Sequence, residues 1–81
     1  SKDIDESHRK KAMKENLAFG KDELTVAEYD DHDLHIDEHL KRLLEEKEEA
    51  IKSLIDEHIK QHRMMKIMAE GESFPQEVKN G

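Results

Sequence analysis

The sequence predicts an all-α fold, and three observations carry that prediction. Helix-forming residues dominate while β-branched and aromatic strand formers are scarce: 43% of residues are charged, 33% are hydrophobic, and there is no Trp. No Gly or Pro occurs between Asp31 and Glu70. Five of the six histidines fall in two clusters, Asp31-His32-Asp33-Leu34-His35-Ile36-Asp37-Glu38-His39 and Glu57-His58-Ile59-Lys60-Gln61-His62. Their spacings of three and four place His32, His35 and His39 on one helix face, and likewise His58 with His62.

The elements follow in chain order. Residues 1–19 read as a short N-terminal helix. Asp3 or Asp5 can cap it, and Ala12, Met13, Asn16, Leu17 and Phe19 give it a weak apolar stripe before Gly20 ends it. Residues 20–30 read as a connector anchored by Leu24 and Val26. Thr25 with Glu28 has the form of a capping box, so the next helix can start there, and a start at Asp30 or Asp31 fits equally well. Residues 31–70 are a helical stretch with acidic residues at its front and Lys60, Arg63 and Lys66 toward its end, as the helix dipole favours. Gly71 stands where a terminating glycine belongs, Pro75 follows, and residues 71–81 read as a loose, flexible tail.

The stretch 31–70 is one long helix, ~60 Å at 1.5 Å per residue, or an antiparallel helical hairpin. The stripes favour the hairpin. Folding the chain near Lys47, inside the Glu-rich run 45–49, sets Leu43 opposite Ile51, Leu40 opposite Leu54, His35 opposite Ile59 and His32 opposite His62. Apolar pairs then meet near the turn and histidines gather at the open end. The expected packing and oligomer contacts are Ile36, Leu40, Leu43, Ile51, Leu54, Ile55 and Met65.

With 81 residues there is room for a single small domain, and so few aromatics cannot build a deep core. Ser1 in place of an initiator Met fits a fragment of a larger chain. A formal charge of −7 argues against wrapping DNA or lying on a membrane surface. No run of apolar residues is long enough to span a bilayer. Without Cys there are no disulfides or thiolate sites.

For the histidines, the plainer expectation is that neutral imidazoles fill polar layers in a thin helical seam, hydrogen-bonding to Asp, Glu or one another, with no metal and no cofactor. The alternative is a metal site drawn from His32, His35, His39, His58 and His62, since histidines at i and i+4 are a good bidentate pair for zinc or nickel. Neither His-Glu-x-x-His nor a di-iron set of Glu-x-x-His pairs is present. There is no Ser/His/Asp set with an oxyanion site, no phosphate loop, and no basic patch interleaved with aromatics, so no catalytic role is expected.

The order Glu15-Asn16-Leu17, Gly20, Val26, Asp30-Asp31-His32-x-x-His35-Ile36-x-x-His39 and then His58-x-x-x-His62 resembles the C-terminal region of tailed-bacteriophage portal proteins. The resemblance spans about residues 9–65. The sequence departs from that pattern in lacking a Pro-bearing break between the two His-containing helices and in their shorter spacing. The resemblance implies a structural part rather than a catalyst: the crown of a ring oligomer, typically of twelve subunits, facing the capsid interior. Its implied partners are its own copies, other capsid, scaffold or packaging components, and duplex DNA that passes without tight binding. The implied location is the portal vertex of the virion, and the host cytoplasm during assembly. The alternative function is a small His-rich metal-binding or pH-responsive helical module.

Overall fold

The structure, a computed structural model, describes residues 2–71. Three helices account for most of them: α1 (Lys2–Asn16), α2 (His32–Glu45) and α3 (Glu49–Ala69). Among the described residues there is no strand. The loose tail expected from residue 72 onward lies outside them. No helix among them is long and apolar enough to cross a membrane.

Helices α2 and α3 form the hairpin. The break falls at residues 46–48, where Glu46 (φ −81°, ψ 139°) and Glu48 (φ −82°, ψ 122°) are extended. The run has no Gly or Pro to enforce a turn, and the Glu46 side chain does it instead. Its Oε2 accepts from the backbone N–H groups of Lys47 (3.0 Å) and Glu48 (2.9 Å), and its Oε1 pairs with Arg42 Nη2 at 2.6 Å. These contacts satisfy donors freed at the helix end, as a capping side chain does. At the opposite end, Lys66 Nζ of α3 meets Asp33 Oδ1 of α2 at 2.9 Å.

The start of α2 decides between the two sequence alternatives in favour of Asp31. Thr25 and Glu28 do not open the helix. Asp31 is the N-cap, its Oδ1 accepting from Leu34 N–H at 3.1 Å. The preceding Asp30 turns inward instead: Oδ2 accepts from Ala27 N–H at 3.0 Å and Oδ1 pairs with Lys11 Nζ at 2.5 Å. The far end of the hairpin follows the sequence reading, with α3 stopping at Ala69 and Gly71 at φ 72°.

Helix α1 ends at Asn16, short of the predicted residue 19, and packs on α2. Its buried strip is narrow, Ala12 and Glu15. Met13 and Leu17 of the predicted stripe are exposed. The small Ala12 side chain, fully buried, lets the two backbones approach. Arg9 pairs with Glu38, Asn16 Nδ2 donates to the Glu38 carbonyl at 3.2 Å, and Arg42 Nε donates to the Asn16 carbonyl at 2.9 Å. Past the helix, Gly20 adopts φ 85°, a left-handed conformation that any side chain would strain. This turn swings Phe19 inward.

The apolar core is correspondingly small. Phe19, Ile55 and Ile59 form it, with Leu24, Ile36, Leu43 and Ile51 packed around them. Leu40 (38% exposed) and Leu54 (51% exposed) are not part of it, contrary to expectation. The reason is that α2 must serve two neighbours: its buried side carries His32, His35, Glu38 and His39, which leaves Leu40 on the outer face. Met65 is half-buried.

Candidate functional site

At the open end of the hairpin the interior is polar. His35, His39 and His62 are fully buried, and His32 and His58 nearly so. The helical spacings act here as expected. His32, His35 and His39 point from α2 toward His58 and His62 of α3, and neighbouring rings lie 4.7–5.6 Å apart between centroids. The pairing of His32 with His62 across the hairpin is realised, with Nδ1 to Nδ1 at 2.9 Å. Phe19 closes one side, its ring edge-on to His39 (5.3 Å) and His58 (5.4 Å). All five histidines singled out by sequence therefore belong to one cluster.

The group that sequence reasoning missed is Glu15. This carboxylate comes from the last turn of α1, is 8% exposed, and sits in the middle of the rings. Its Oε1 lies 3.2 Å from His35 Nδ1, 3.2 Å from His39 Nε2 and 3.8 Å from His58 Nε2. Burial pushes its carboxyl upward, but the ring nitrogens of His35 and His39 outweigh that and hold it at about 2. His62 is pushed down to about 3, first by burial and then by His35, His58, His39 and His32 around it. His58 is lowered for the same two reasons, burial first and His39 next. Asp30 also approaches, with Oδ1 3.8 Å from His35 Nε2. Burial raises the Asp30 carboxyl, but the Lys11 ammonium and the Ala27 N–H leave it lowered overall.

Seven buried side-chain atoms here have no hydrogen-bond partner within the described protein: Glu15 Oε1, His35 Nδ1 and the Nε2 atoms of His32, His35, His39, His58 and His62. Glu15 Oε1 is within ion-pair distance of the rings yet outside hydrogen-bond geometry with them. Buried polar atoms are nearly always satisfied, so this concentration in one place requires a chemical reason. Two sets of ligand atoms, each within 4.8 Å of one another, have the composition of a cation site: Glu15, His35, His39 and His62, all buried, and His8, Asp30 and His35.

Comparisons with protein-family models, with characterised proteins and with solved structures found no match.

Proposed function

We propose that the chain is a structural helical module of a portal ring, forming part of the crown that faces the capsid interior and supporting assembly and DNA packaging. The observation that carries this reading is where the resemblance-bearing residues fall. Apart from Leu17, which is exposed, and the half-buried Val26 and Ile36, these residues have places in the fold: Glu15, Asn16, Gly20, Asp30, Asp31, His32, His35, His39, His58 and His62. They cap α2, turn the chain after α1, and fill the interior between the three helices. The pattern is thus one of fold construction, as expected of a structural part.

Two surface features support the same reading. Leu17, Tyr29, Leu44, Leu54, Met64 and Met68 are large apolar side chains left exposed, at 46–85%. Packing around a ring would cover such residues. A net charge of −7 suits a surface past which duplex DNA slides without sticking. In this reading the module resides in the virion at the portal vertex and in the host cytoplasm during assembly. It acts with its own copies and with capsid, scaffold or packaging components, and it performs no catalysis. Native mass measurement over a concentration series tests it. Particles near twelve times 9.5 kDa are expected, together with no duplex binding in a gel-shift series at physiological salt. A chain that holds duplex tightly as salt rises refutes it. The unpartnered imidazole nitrogens favour the second reading, a metal-binding helical module, whose site is developed next.

A further inference from the structure

The interior sets a chemical constraint that hydrogen bonding within the chain does not meet. The Asn16 amide is oriented by its Nδ2, which donates to the Glu38 carbonyl at 3.2 Å. Asn16 Oδ1 therefore faces His39 Nδ1, at 2.7 Å. An amide oxygen can only accept, so His39 Nδ1 carries the hydrogen. In the neutral ring, His39 Nε2 then presents a lone pair, and what lies 3.2 Å from it is Glu15 Oε1, which also has only lone pairs to offer. Two buried acceptors at that distance repel unless a cation lies between them, either a second proton on the ring, which makes the pair ionic, or a metal ion. The same holds on the α3 side: when His62 Nδ1 donates to His32 Nδ1, its Nε2 is a bare lone pair in the same space.

We propose that Glu15, His35, His39 and His62 form a four-coordinate site for a divalent transition-metal ion of the zinc type, which ties α1, α2 and α3 together. Two of the six ligand–ligand edges match a tetrahedral ion, and all six lie within 4.8 Å. A tetrahedral ion with ligand bonds of ~2.0–2.1 Å has ligand–ligand edges of about 3.3 Å, and the two Glu15–imidazole edges are both 3.2 Å. Three imidazole nitrogens and one carboxylate oxygen select a borderline ion such as Zn²⁺ over Ca²⁺ or Mg²⁺, which demand oxygen shells. Two of the three rings have support behind them of the kind that orients metal-bound histidines. Asn16 holds His39 and His32 holds His62, whereas His35 Nε2 is 3.8 Å from Asp30 Oδ1, beyond hydrogen-bond reach. Four protein ligands and full burial define a closed, structural centre rather than one with a position for substrate.

The second set is poorer. His8 Nδ1 already accepts from the Asp31 N–H at 3.3 Å, and both Asp30 oxygens are engaged by Lys11 and Ala27. The ion would also supply what the apolar core lacks. Among the described residues the buried hydrophobic ones are Ala12, Phe19, Ile55 and Ile59, and small domains with so little core commonly rely on a metal or cross-link. The inference deepens the metal-binding reading and does not depend on the ring, because it is tested on single chains.

The test uses the purified full chain, stripped with a chelator and titrated with Co²⁺ and then Zn²⁺ at concentrations where native mass shows the monomer. The expected result is one ion per chain, the visible absorption of tetrahedral Co²⁺, and its displacement by Zn²⁺. A thermal midpoint raised by about 10–20 °C is expected at zinc a hundredfold above Kd. Glu15→Gln, which keeps the side-chain shape, and His39→Ala should each weaken Co²⁺ binding more than tenfold and abolish the band. His8→Ala should keep both. If His39→Ala does not fold, Glu15→Gln decides alone. Absence of the band in the unmodified chain, undiminished binding in Glu15→Gln, or loss in His8→Ala alone would overturn the site.

Discussion

Lowering the pH of the metal-stripped chain should unfold it, and the structure gives the window. His62 is fully buried and lies among His35, His39 and His32 of α2 and His58 of its own helix, with Glu15 of α1 beside that group. Burial and those rings place its folded-state value at about 3, against 6.5 for the free side chain. The unfolded chain therefore binds the proton first. Stability is complete above pH 6.5 and falls as pH drops from there toward 3. One such proton costs about 1.4 kcal/mol per pH unit, so moving from pH 6.5 to 4.5 removes on the order of 3 kcal/mol through His62 alone. His58, also lowered, acts in the same direction. Glu15, held at about 2 against 4.5, adds its own loss only below pH 4.5. A domain of this size has roughly 4–12 kcal/mol in total, so the cooperative transition should collapse near pH 4–5. Far-UV circular dichroism melts in chelator from pH 7.5 to 4.5 measure this, and His62→Gln should flatten the slope by about one proton. A midpoint that holds constant or rises over that range would refute the reasoning and make pairing of the rings with Glu15 and Asp30 the dominant effect.

Other outcomes follow from single residues. Ile55→Ala removes a fully buried side chain from the Phe19–Ile59 cluster. It should cost about 2–5 kcal/mol in urea unfolding, and an effect below 1 kcal/mol would mean the core is not closed. Gly20→Ala forces a side chain into φ 85°, with its Cβ 3.1 Å from Ile51 Cδ1. A loss of about 1–2 kcal/mol is expected by the same assay. Asp31→Ala removes the cap of α2, for about 1 kcal/mol. Amide exchange should show the first turn of α2 fraying before the rest.

The helices and their partnership were legible because they depend on local periodicity. The spacing of His32, His35 and His39 against His58 and His62 was enough to place the rings face to face, and Gly71 marked the end of α3. The hairpin turn was located but not explained, because Glu46 closes it with a side chain that looks like any other helix-forming glutamate. Glu15 escaped because its role depends on a contact 20 to 47 residues away along the chain. Locally it is one more acid on a charged helix, distinguished only by lying on the strip of Ala12, next to Asn16. The sequence left the start of α2 open between Thr25 and Asp30 or Asp31, because both offer a capping side chain, and Asp31 takes the cap. Leu40 and Leu54 faced each other in the folded-back register. That register takes no account of α1, whose arrival rotates the buried side of α2 toward its histidines and Glu38.

The imidazole-filled interior also shapes how this protein responds to temperature. Exposing apolar surface raises the heat capacity of the unfolded state, whereas exposing polar surface lowers it. Here, among the described residues, unfolding releases five histidines, Glu15, Glu38 and Asp30 alongside four buried hydrophobic residues. The heat-capacity increment should therefore fall below the usual ~12–15 cal/mol/K per residue. Its stability curve is then shallow and broad, changing little between cold and warm conditions. The burial of polar rings that makes the fold sensitive to protons makes it comparatively indifferent to temperature.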